Sequence, residues 1–320
     1  MPKLNVQQNN ANVIKALRNA LAIGQIKGPI ASDGNDNFIS TGSNRNLLDN
    51  AYFVGGGSQL GDGVFPINQR GQTVYTSDGT GIDRWKQYAA TVTLASDGVT
   101  VTPSAYSNNF LQMMNPAKWN ALVGKTVTLS IEVLAVTGTI TVAGYNTGIG
   151  TITSTGIAAF TFTMPSGIAD GNKFFGIAGQ SGSSIKFSRW KLEEGTVSTL
   201  ANDPPPDFGE ELRKCQRYLW VHTFAAYDVI GNGYTASATV GGFSIYLPVS
   251  MRTGGNPQAT YTTLPSAYGG GNASNLSAMN IASLTGNIAR YYVEFSGMQA
   301  NNAICVMATA NTTLTISAEL

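Results

Sequence analysis

The sequence predicts a mainly β protein with a short N-terminal helix, a β-sandwich or jelly-roll domain, and a second small antiparallel β domain. Glycine is abundant, with 37 residues, and Ser, Thr and Asn are frequent, which is typical of short strands joined by tight turns. Hydrophobic residues make up 42% of the chain, enough to build cores. Several segments alternate apolar and polar residues with a period of two, as half-buried strands do.

Residues 1–45 are predicted to form a helix, over 5–24, followed by a loop. In this helix, Ile14, Leu17 and Leu21 lie three and four residues apart along one apolar stripe, and Val13 and Ala20 lie beside it. An isolated terminal helix with a narrow apolar stripe is unstable alone. It packs either on its own domain or on copies of itself, and we expect the second arrangement, an oligomerisation helix.

Residues 46–201 are predicted to form the first β domain. The segment 126–133 alternates so that its odd-numbered residues form a buried face and its even-numbered residues a wet face. The wet face consists of Thr126, Thr128, Ser130 and Glu132. Around residues 185–192 the apolar parity shifts by one, which predicts a β-bulge near Ser188–Arg189.

Residues 202–320 begin with the segment 202–206, whose three consecutive prolines predict a stiff extended spacer. The following residues, 207–214, place acidic side chains first and basic side chains last, as a short helix with a favourable dipole does. Further alternating segments extend to the last residue, which suggests that the C-terminal strand is tied into a sheet.

The composition argues against several functions. Charged residues make up only 12% of the chain, the net charge is +1, and no basic cluster is present, so we expect no nucleic-acid partner. Apolar runs fall short of the ~20 residues that span a bilayer, so we expect no membrane insertion. The N-terminus has no apolar region of the kind found in secretory signals.

No catalytic or metal site is expected, and no cofactor. The single histidine, His222, lies in an aromatic segment and is interpreted as a packing residue. Cys215 and Cys305 are interpreted as buried thiols, with a disulfide as the less favoured alternative. A glycosidase would need two carboxylates facing one cleft. The adjacent pair Glu193–Glu194 points to opposite faces of a strand, so the less favoured hydrolase alternative would need carboxylates that are distant in sequence. We therefore predict that the protein is not an enzyme.

Sugar binding is the chemistry that the sequence leaves open, because a pyranose offers both C–H faces and hydroxyl groups to aromatic rings and amides. Aromatic residues in Asn-rich, loop-like segments are the candidates. They are Tyr106, Trp119 and Tyr145 in the first domain and Tyr261 and Tyr268 in the second. For each, the alternative is that the ring anchors a loop or packs between subunits. Trp85 and Trp190 are assigned to the core or its edge, and Trp220 to a contact with the linker.

Five stretches of the sequence resemble, in order, the fibre proteins of tailed phages. They are NLLDNAYF (46–53), PINQRG (66–71), GIDRW (81–85), IKFSRWKLEEGTVST (185–199) and NDPPPDFGEELRKCQRYL (202–219). Such tail-fibre or head-fibre proteins carry a jelly-roll module similar to carbohydrate-binding modules, followed by a small β domain.

The resemblance implies a virion protein that is assembled in the host cytoplasm and exposed on the particle surface. It implies a homo-oligomer, commonly a trimer, with other virion proteins bound through the N-terminus. A host cell-surface glycan or protein is the implied receptor. The alternative is a structural or decoration protein of the capsid or tail that has no receptor of its own.

Overall fold

The computed structural model describes residues 30–32, 38–40, 44–55, 64–252 and 257–319. These residues form a mainly β protein, and the predicted fold class is confirmed. A two-stranded antiparallel sheet comes first, formed by β1 (Ile30–Ser32) and β2 (Phe38–Ser40). The predicted helix over residues 5–24 lies outside the described residues.

Twelve strands form the first β-sandwich. They are β3 (Val74–Tyr75), β4 (Gly79–Thr80), β5 (Trp85–Gln87), β6 (Ala90–Ala95), β7 (Gly98–Pro103), β8 (Asn108–Met113), β9 (Thr126–Thr137), β10 (Ile140–Gly144), β11 (Thr147–Ile152), β12 (Gly156–Thr163), β13 (Phe174–Gly179) and β14 (Ser184–Glu194). One six-stranded sheet has the order β11-β10-β13-β8-β5-β4, and the other has the order β12-β9-β14-β7-β6-β3. A short helix, α1 (Pro116–Asn120), follows β8.

An aromatic cluster fills the centre of the first sandwich. Trp85 stacks on Phe110 with ring centroids 4.7 Å apart, and Phe53 meets Trp85 edge to face at 5.3 Å. Phe187 and Trp190 complete the cluster from β14. Trp85 and Trp190 are fully buried, as predicted. Because rings from both sheets interlock here, this cluster fixes how the sheets pack.

The segment after β14 folds back over the outer face of β9, so part of this face is buried rather than exposed to solvent as predicted. Thr128 and Ser130, expected on a wet face, are buried. The Thr128 hydroxyl donates to the carbonyl of Gly195 at 2.8 Å, and the hydroxyls of Ser130 and Ser198 lie 2.7 Å apart. The alternation correctly identifies the strand, but a period of two cannot show that a loop covers the polar face.

The predicted β-bulge is present: the pairing of β14 with β9 changes register between Phe187 and Arg189. The bulge directs Arg189 to the Glu132 carboxylate of β9, which it meets with two nitrogens, at 2.7 and 2.9 Å. Arg–carboxylate pairs of this two-pronged kind are geometrically specific.

A turn of 3₁₀ helix (Leu200–Asn202) and the proline spacer lead to a second helix, α2 (Phe208–Gln216). Asp207 caps α2 by accepting a hydrogen bond from the Glu210 amide at 2.7 Å. As predicted, acidic residues lie in its first turn and basic residues in its last. Its buried Cys215 packs with Phe65 and Ile67 of the first sandwich, so α2 is docked on that domain.

Ten strands form the second β-sandwich. They are β15 (Leu219–Phe224), β16 (Val229–Thr235), β17 (Val240–Tyr246), β18 (Gln258–Tyr261), β19 (Ser266–Gly269), β20 (Asn272–Asn275), β21 (Ala278–Thr285), β22 (Ile288–Glu294), β23 (Ala303–Met307) and β24 (Thr312–Ser317). A three-stranded sheet, β15-β24-β18, packs on a seven-stranded sheet, β20-β19-β23-β16-β17-β22-β21.

The last strand is tied into a sheet, as predicted. β24 lies between β15 and β18 and pairs with both. Trp220, expected against the linker, instead belongs to the core of the second sandwich. It pairs with Ile316 across β15 and β24, which directs its ring toward the seven-stranded sheet.

Candidate functional site

The junction between the two sandwiches is built on Gln69 and Asp83. Gln69 Nε2 donates both to Asp83 Oδ2 and to the carbonyl of Leu219, at 2.7 Å in each case. The Val221 amide donates to Gln69 Oε1 at 3.3 Å. Complete burial raises the pKa of Asp83 to about 7, and the nearby Glu319 also raises it, while the hydrogen bonds from Gln69 lower it.

Other polar side chains extend this junction. Asn50 Nδ2 donates to the carbonyls of Ile67 and Asp83, both at 2.8 Å, and the Asn50 amide donates to Glu211 of α2 at 2.8 Å. Arg70 pairs with Glu319 at 2.6 Å. Four of the five fibre-like stretches, 46–53, 66–71, 81–85 and 202–219, therefore meet at the junction, where they hold the sandwiches together.

The outer face of the seven-stranded sheet presents four exposed tyrosines. Their exposed fractions are 62% for Tyr234, 75% for Tyr246, 38% for Tyr268 and 40% for Tyr292. We call the surface formed by these residues, together with Asn232, Gly242, Ser244 and Arg290, the tyrosine face. All lie in the register opposite the buried residues of β16, β17, β19 and β22.

Strand pairing arranges the tyrosine face in two rows. In the first, Gly242 of β17 lies between Tyr234 of β16 and Tyr292 of β22. The two tyrosines are thus two strand spacings apart, about 10 Å, with no side chain between them. In the second row, Arg290, Ser244, Asn232, Cys305 and Tyr268 follow one another across the sheet.

A groove adjoins the tyrosine face where β16 and β17 stop pairing. Their ladder ends at Asn232 and Ser244, and beyond this point a groove of about 670 Å³ opens. Aromatic side chains of β15 and the ends of β16 and β17 line it. These lining residues are Trp220, His222, Phe224, Val229, Ile230, Gly231, Asn232, Ser244, Ile245 and Tyr246. Asn232, Ser244 and Tyr246 belong to both surfaces, so the groove and the face are continuous.

His222 is exposed at this groove. Its ring stacks on Trp220 with centroids 5.7 Å apart and meets the edge of Phe224 at 4.5 Å. The predicted packing role is therefore correct, but one side of the ring is open to solvent.

The five aromatic residues predicted to bind sugar are not brought together. Tyr106 is 59% exposed beside a shallow cavity of about 290 Å³ in the first sandwich. Tyr268 is exposed in the tyrosine face. Tyr145 and Tyr261 are half-buried and pack against the two cores.

Trp119 is fully buried, which corrects its assignment as a ligand-binding residue. Pro116 and the capping Asn115 begin helix α1, and this helix turns the Trp119 ring inward. The ring stacks on Phe175 with centroids 5.4 Å apart, so it has no free face for a ligand.

Sequence reasoning missed Tyr234, Tyr246 and Tyr292. The signal was present in two strands: Phe243 and Ile245 occupy the buried register of β17, which leaves Tyr246 on the opposite face. Tyr291 and Val293 do the same for Tyr292 in β22. An aromatic residue in the polar register of a strand therefore predicts an exposed ring.

The state of the two cysteines is clear within the described ranges. Cys215 and Cys305 are free thiols, and Cys305 is half-buried rather than buried because it lies on the outer register of β23. No group of three or more His, Cys, Asp or Glu side chains there could hold a metal ion. None of the helices in those ranges is long and apolar enough to cross a membrane. The predicted oligomerisation residues, Val13, Ile14, Leu17, Ala20 and Leu21, lie outside the described residues.

No protein-family model matches this chain. A search of curated proteins also finds no significant match.

Proposed function

We propose that the protein is a non-enzymatic fibre protein of a phage virion, homo-oligomeric and most simply trimeric, which displays a glycan-binding surface to the host cell. The observation that carries the proposal is the tyrosine face, with its adjoining groove, on the second sandwich. The fibre-like sequence stretches supply the virion context, and the N-terminal segment is assigned to subunit association and to contacts with other virion proteins.

The side chains of the tyrosine face suit a sugar. Phenol rings provide apolar faces for the C–H groups of a pyranose, and their hydroxyls provide polar edges. The amide of Asn232, the hydroxyl of Ser244 and the guanidinium of Arg290 supply donors and acceptors for ring hydroxyls. A sheet holds these groups on a rigid backbone, so little conformational entropy is lost on binding.

The dimensions of the site are also suitable. Small-molecule sites commonly have volumes of ~300–1,000 Å³, and the groove beside Tyr246 has about 670 Å³. The gap over Gly242 offers a second, shallower place between Tyr234 and Tyr292. A short oligosaccharide could contact both, because Tyr246 and Ser244 connect them.

Oligomerisation would strengthen such binding. Several copies on one particle turn later binding events into intramolecular ones, which raises avidity without new contacts. An individually weak sugar site is therefore sufficient for attachment to a glycan-coated cell.

The test measures binding of the full-length protein to host cells and to a glycan array. We expect Tyr246→Ala and Tyr292→Ala each to weaken binding about tenfold, equivalent to ~1.4 kcal/mol. Tyr106→Ala, at a tyrosine of the first sandwich whose exposure of 59% lies between those of Tyr246 and Tyr292, is the matched control and should bind like the wild type. Loss of binding in Tyr106→Ala alone would move the site to the first sandwich.

The second candidate function is a structural or decoration protein of the capsid or tail. The breadth of the tyrosine face favours it as well, since large exposed aromatic surfaces also form protein interfaces. In that case the tyrosine variants would reduce incorporation into particles, and neither wild type nor variant would bind cells or glycans.

A further inference from the structure

A buried charged cluster lies in the first sandwich, away from the tyrosine face. Lys191 and Glu193 are two residues apart on β14, and the side chains of both are 0% exposed. The carboxyl of Asp203, from the segment after β14, joins them and is 16% exposed. Lys and Glu are almost never fully buried unless they are paired, and here Lys191 is paired with carboxyl groups.

The cluster is closed off by the chain that follows β14. The Gly195 amide donates to the Thr126 carbonyl at 2.9 Å, and residues 196–203 then cross the outer face of β9 and β14. Thr199 lies against the cluster: its amide donates to Glu193 Oε1 at 2.7 Å and its hydroxyl donates to Glu193 Oε2 at 2.6 Å. Both oxygens of Glu193 are therefore engaged as acceptors.

Charge balance in the cluster is unfavourable. One ammonium and two carboxylates would leave a net negative charge at a largely buried site, and burying charge costs several kcal/mol per ion. Burial raises the pKa of Asp203, and the neighbouring Glu193 also raises it, against the lowering effects of Lys191 and Arg189.

The amine and the carboxyl are held against each other. Lys191 Nζ contacts Asp203 Oδ1, donates to the Thr199 hydroxyl at 2.8 Å, and lies 3.7 Å from Glu193 Oε2. The backbone of Asp203 is fixed as well: its amide donates to the Leu200 carbonyl at 3.1 Å, and its own carbonyl accepts a hydrogen bond from Arg189 at 3.3 Å. Fixed reacting groups reach very high effective concentrations.

We propose that Lys191 and Asp203 form an intramolecular amide cross-link, with Glu193 transferring the protons. The Lys191 ammonium first gives a proton to the Thr199 hydroxyl, which passes its own proton to Glu193 Oε2. The free amine attacks Cγ of the protonated Asp203 carboxyl, and a C–N bond forms. Glu193 gives its proton to the departing hydroxyl, the C–O bond breaks and water leaves. The surplus proton on the nitrogen then returns to Glu193 through the Thr199 hydroxyl.

The products are an amide, one water molecule and a protonated Glu193. The Lys191 ammonium and the Glu193 carboxylate have both become neutral, so the reaction removes two charges from the buried site. A cavity of about 510 Å³ lined by Asp203, Arg189 and Leu200 gives the released water a way out. No oxidant or other reactant is needed.

The cross-link would fasten the proline spacer to β14. Asp203 immediately precedes Pro204–Pro206, which lead into α2 and the junction. A pulling force between the sandwiches would then act on a covalent bond at this point rather than on the 3₁₀ turn alone. The inference concerns the first sandwich and does not depend on sugar binding.

The test is the intact mass of the denatured wild-type protein, followed by peptide mapping. We expect a mass one water below that of the sequence, and a branched peptide joining residues 191 and 203. Lys191→Met and Glu193→Gln should each have the full sequence mass. Lys186→Met, on the same strand but paired with the exposed Asp97, is the control and should keep the deficit.

A wild-type protein at its full sequence mass overturns the proposal, whether or not any variant folds. A deficit that maps elsewhere also overturns it, since Asp-Gly sites such as Asp97–Gly98 lose water by succinimide formation. Asp203 itself cannot form a succinimide, because the reaction needs the next backbone N–H and Pro204 has none. Water loss that maps to Asp203 therefore identifies the cross-link.

Discussion

The side-chain amide of Gln69 makes the hydrogen bonds to Leu219 and Val221 that the backbone of a neighbouring strand would make. Its Nε2 donates to the Leu219 carbonyl, and its Oε1 accepts the amide of Val221, two residues along β15. These are groups on the edge of β15 that faces away from β24. One side-chain amide of the first sandwich thus occupies part of an open sheet edge of the second, which both joins the domains and protects that edge.

Replacing Gln69 should therefore weaken the junction. In Gln69→Ala the carbonyl of Leu219 and the amide of Val221 lose their partners, and unsatisfied buried groups cost ~1–3 kcal/mol each. We expect the free energy of unfolding to fall by about 2–3 kcal/mol and the two sandwiches to unfold in separate transitions in urea. Gln72→Ala, three residues along and exposed, is the control. The proposed role of Gln69 fails if the two variants behave alike.

The buried Asp83 should make stability depend on pH. Its folded-state pKa of about 7 lies above the ordinary value of 3.8, so the folded protein binds an extra proton between these values. The free energy of unfolding should therefore fall as pH rises from about 4 to about 7 and level off above this range. The expected fall is up to ~4 kcal/mol.

The measurement compares wild type with Asp83→Asn in urea across that range. Subtracting the variant removes the contributions of the other titrating groups. The difference in unfolding free energy, wild type minus variant, should decrease with rising pH. A difference that stays constant across the range would show that Asp83 does not titrate there.

Phe53 should be essential to the first sandwich although it precedes the first strand of its sheets. The ring is fully buried and contacts Trp85, Phe110 and Phe187. Phe53→Ala should lower the free energy of unfolding by ~3–5 kcal/mol because it leaves a cavity in the aromatic cluster. Val197→Ala, at a position that is 66% exposed, should change it by less than ~0.5 kcal/mol. Tryptophan fluorescence in urea measures both.

The N-terminal apolar stripe should hold the subunits together. Leu17→Asp places a charge in the stripe and should lower the oligomer order in sedimentation velocity, as deletion of residues 1–24 should. Asn19→Asp adds the same charge off the stripe and should leave the oligomer intact. An unchanged oligomer in Leu17→Asp and in the deletion would contradict the assignment.

The sequence predicted strands well where one face alone is buried. Alternation located β9, β17, β22 and β24, and the parity shift located the bulge at Ser188–Arg189. It failed at Thr128 and Ser130, since the segment that covers them lies more than 60 residues away in sequence. A local sequence pattern predicts a strand and its two faces. It does not predict burial of one face by a segment that is distant in sequence, because that burial depends on the tertiary structure.

The candidate site was harder to predict for a similar reason. Tyr234 and Tyr292 become neighbours of Gly242 only through the pairing order β16-β17-β22, which no local pattern contains. Trp119 was assigned to a loop surface because its Asn-rich context is polar. The short helix that turns its ring inward has only five residues, too few for periodicity to reveal.

The position of β24 also has a consequence for biosynthesis. β15 and β18 each pair with β24, and β15 precedes it by about 90 residues. While the ribosome is still adding those residues, β15 has no partner strand. The aromatic side chains that β15 contributes to the groove, Trp220, His222 and Phe224, are then not yet part of a sheet. The first sandwich can fold during translation, but the second needs β24, which ends at residue 317. An incomplete chain would therefore combine a folded first sandwich with an unfolded second one whose apolar side chains are exposed.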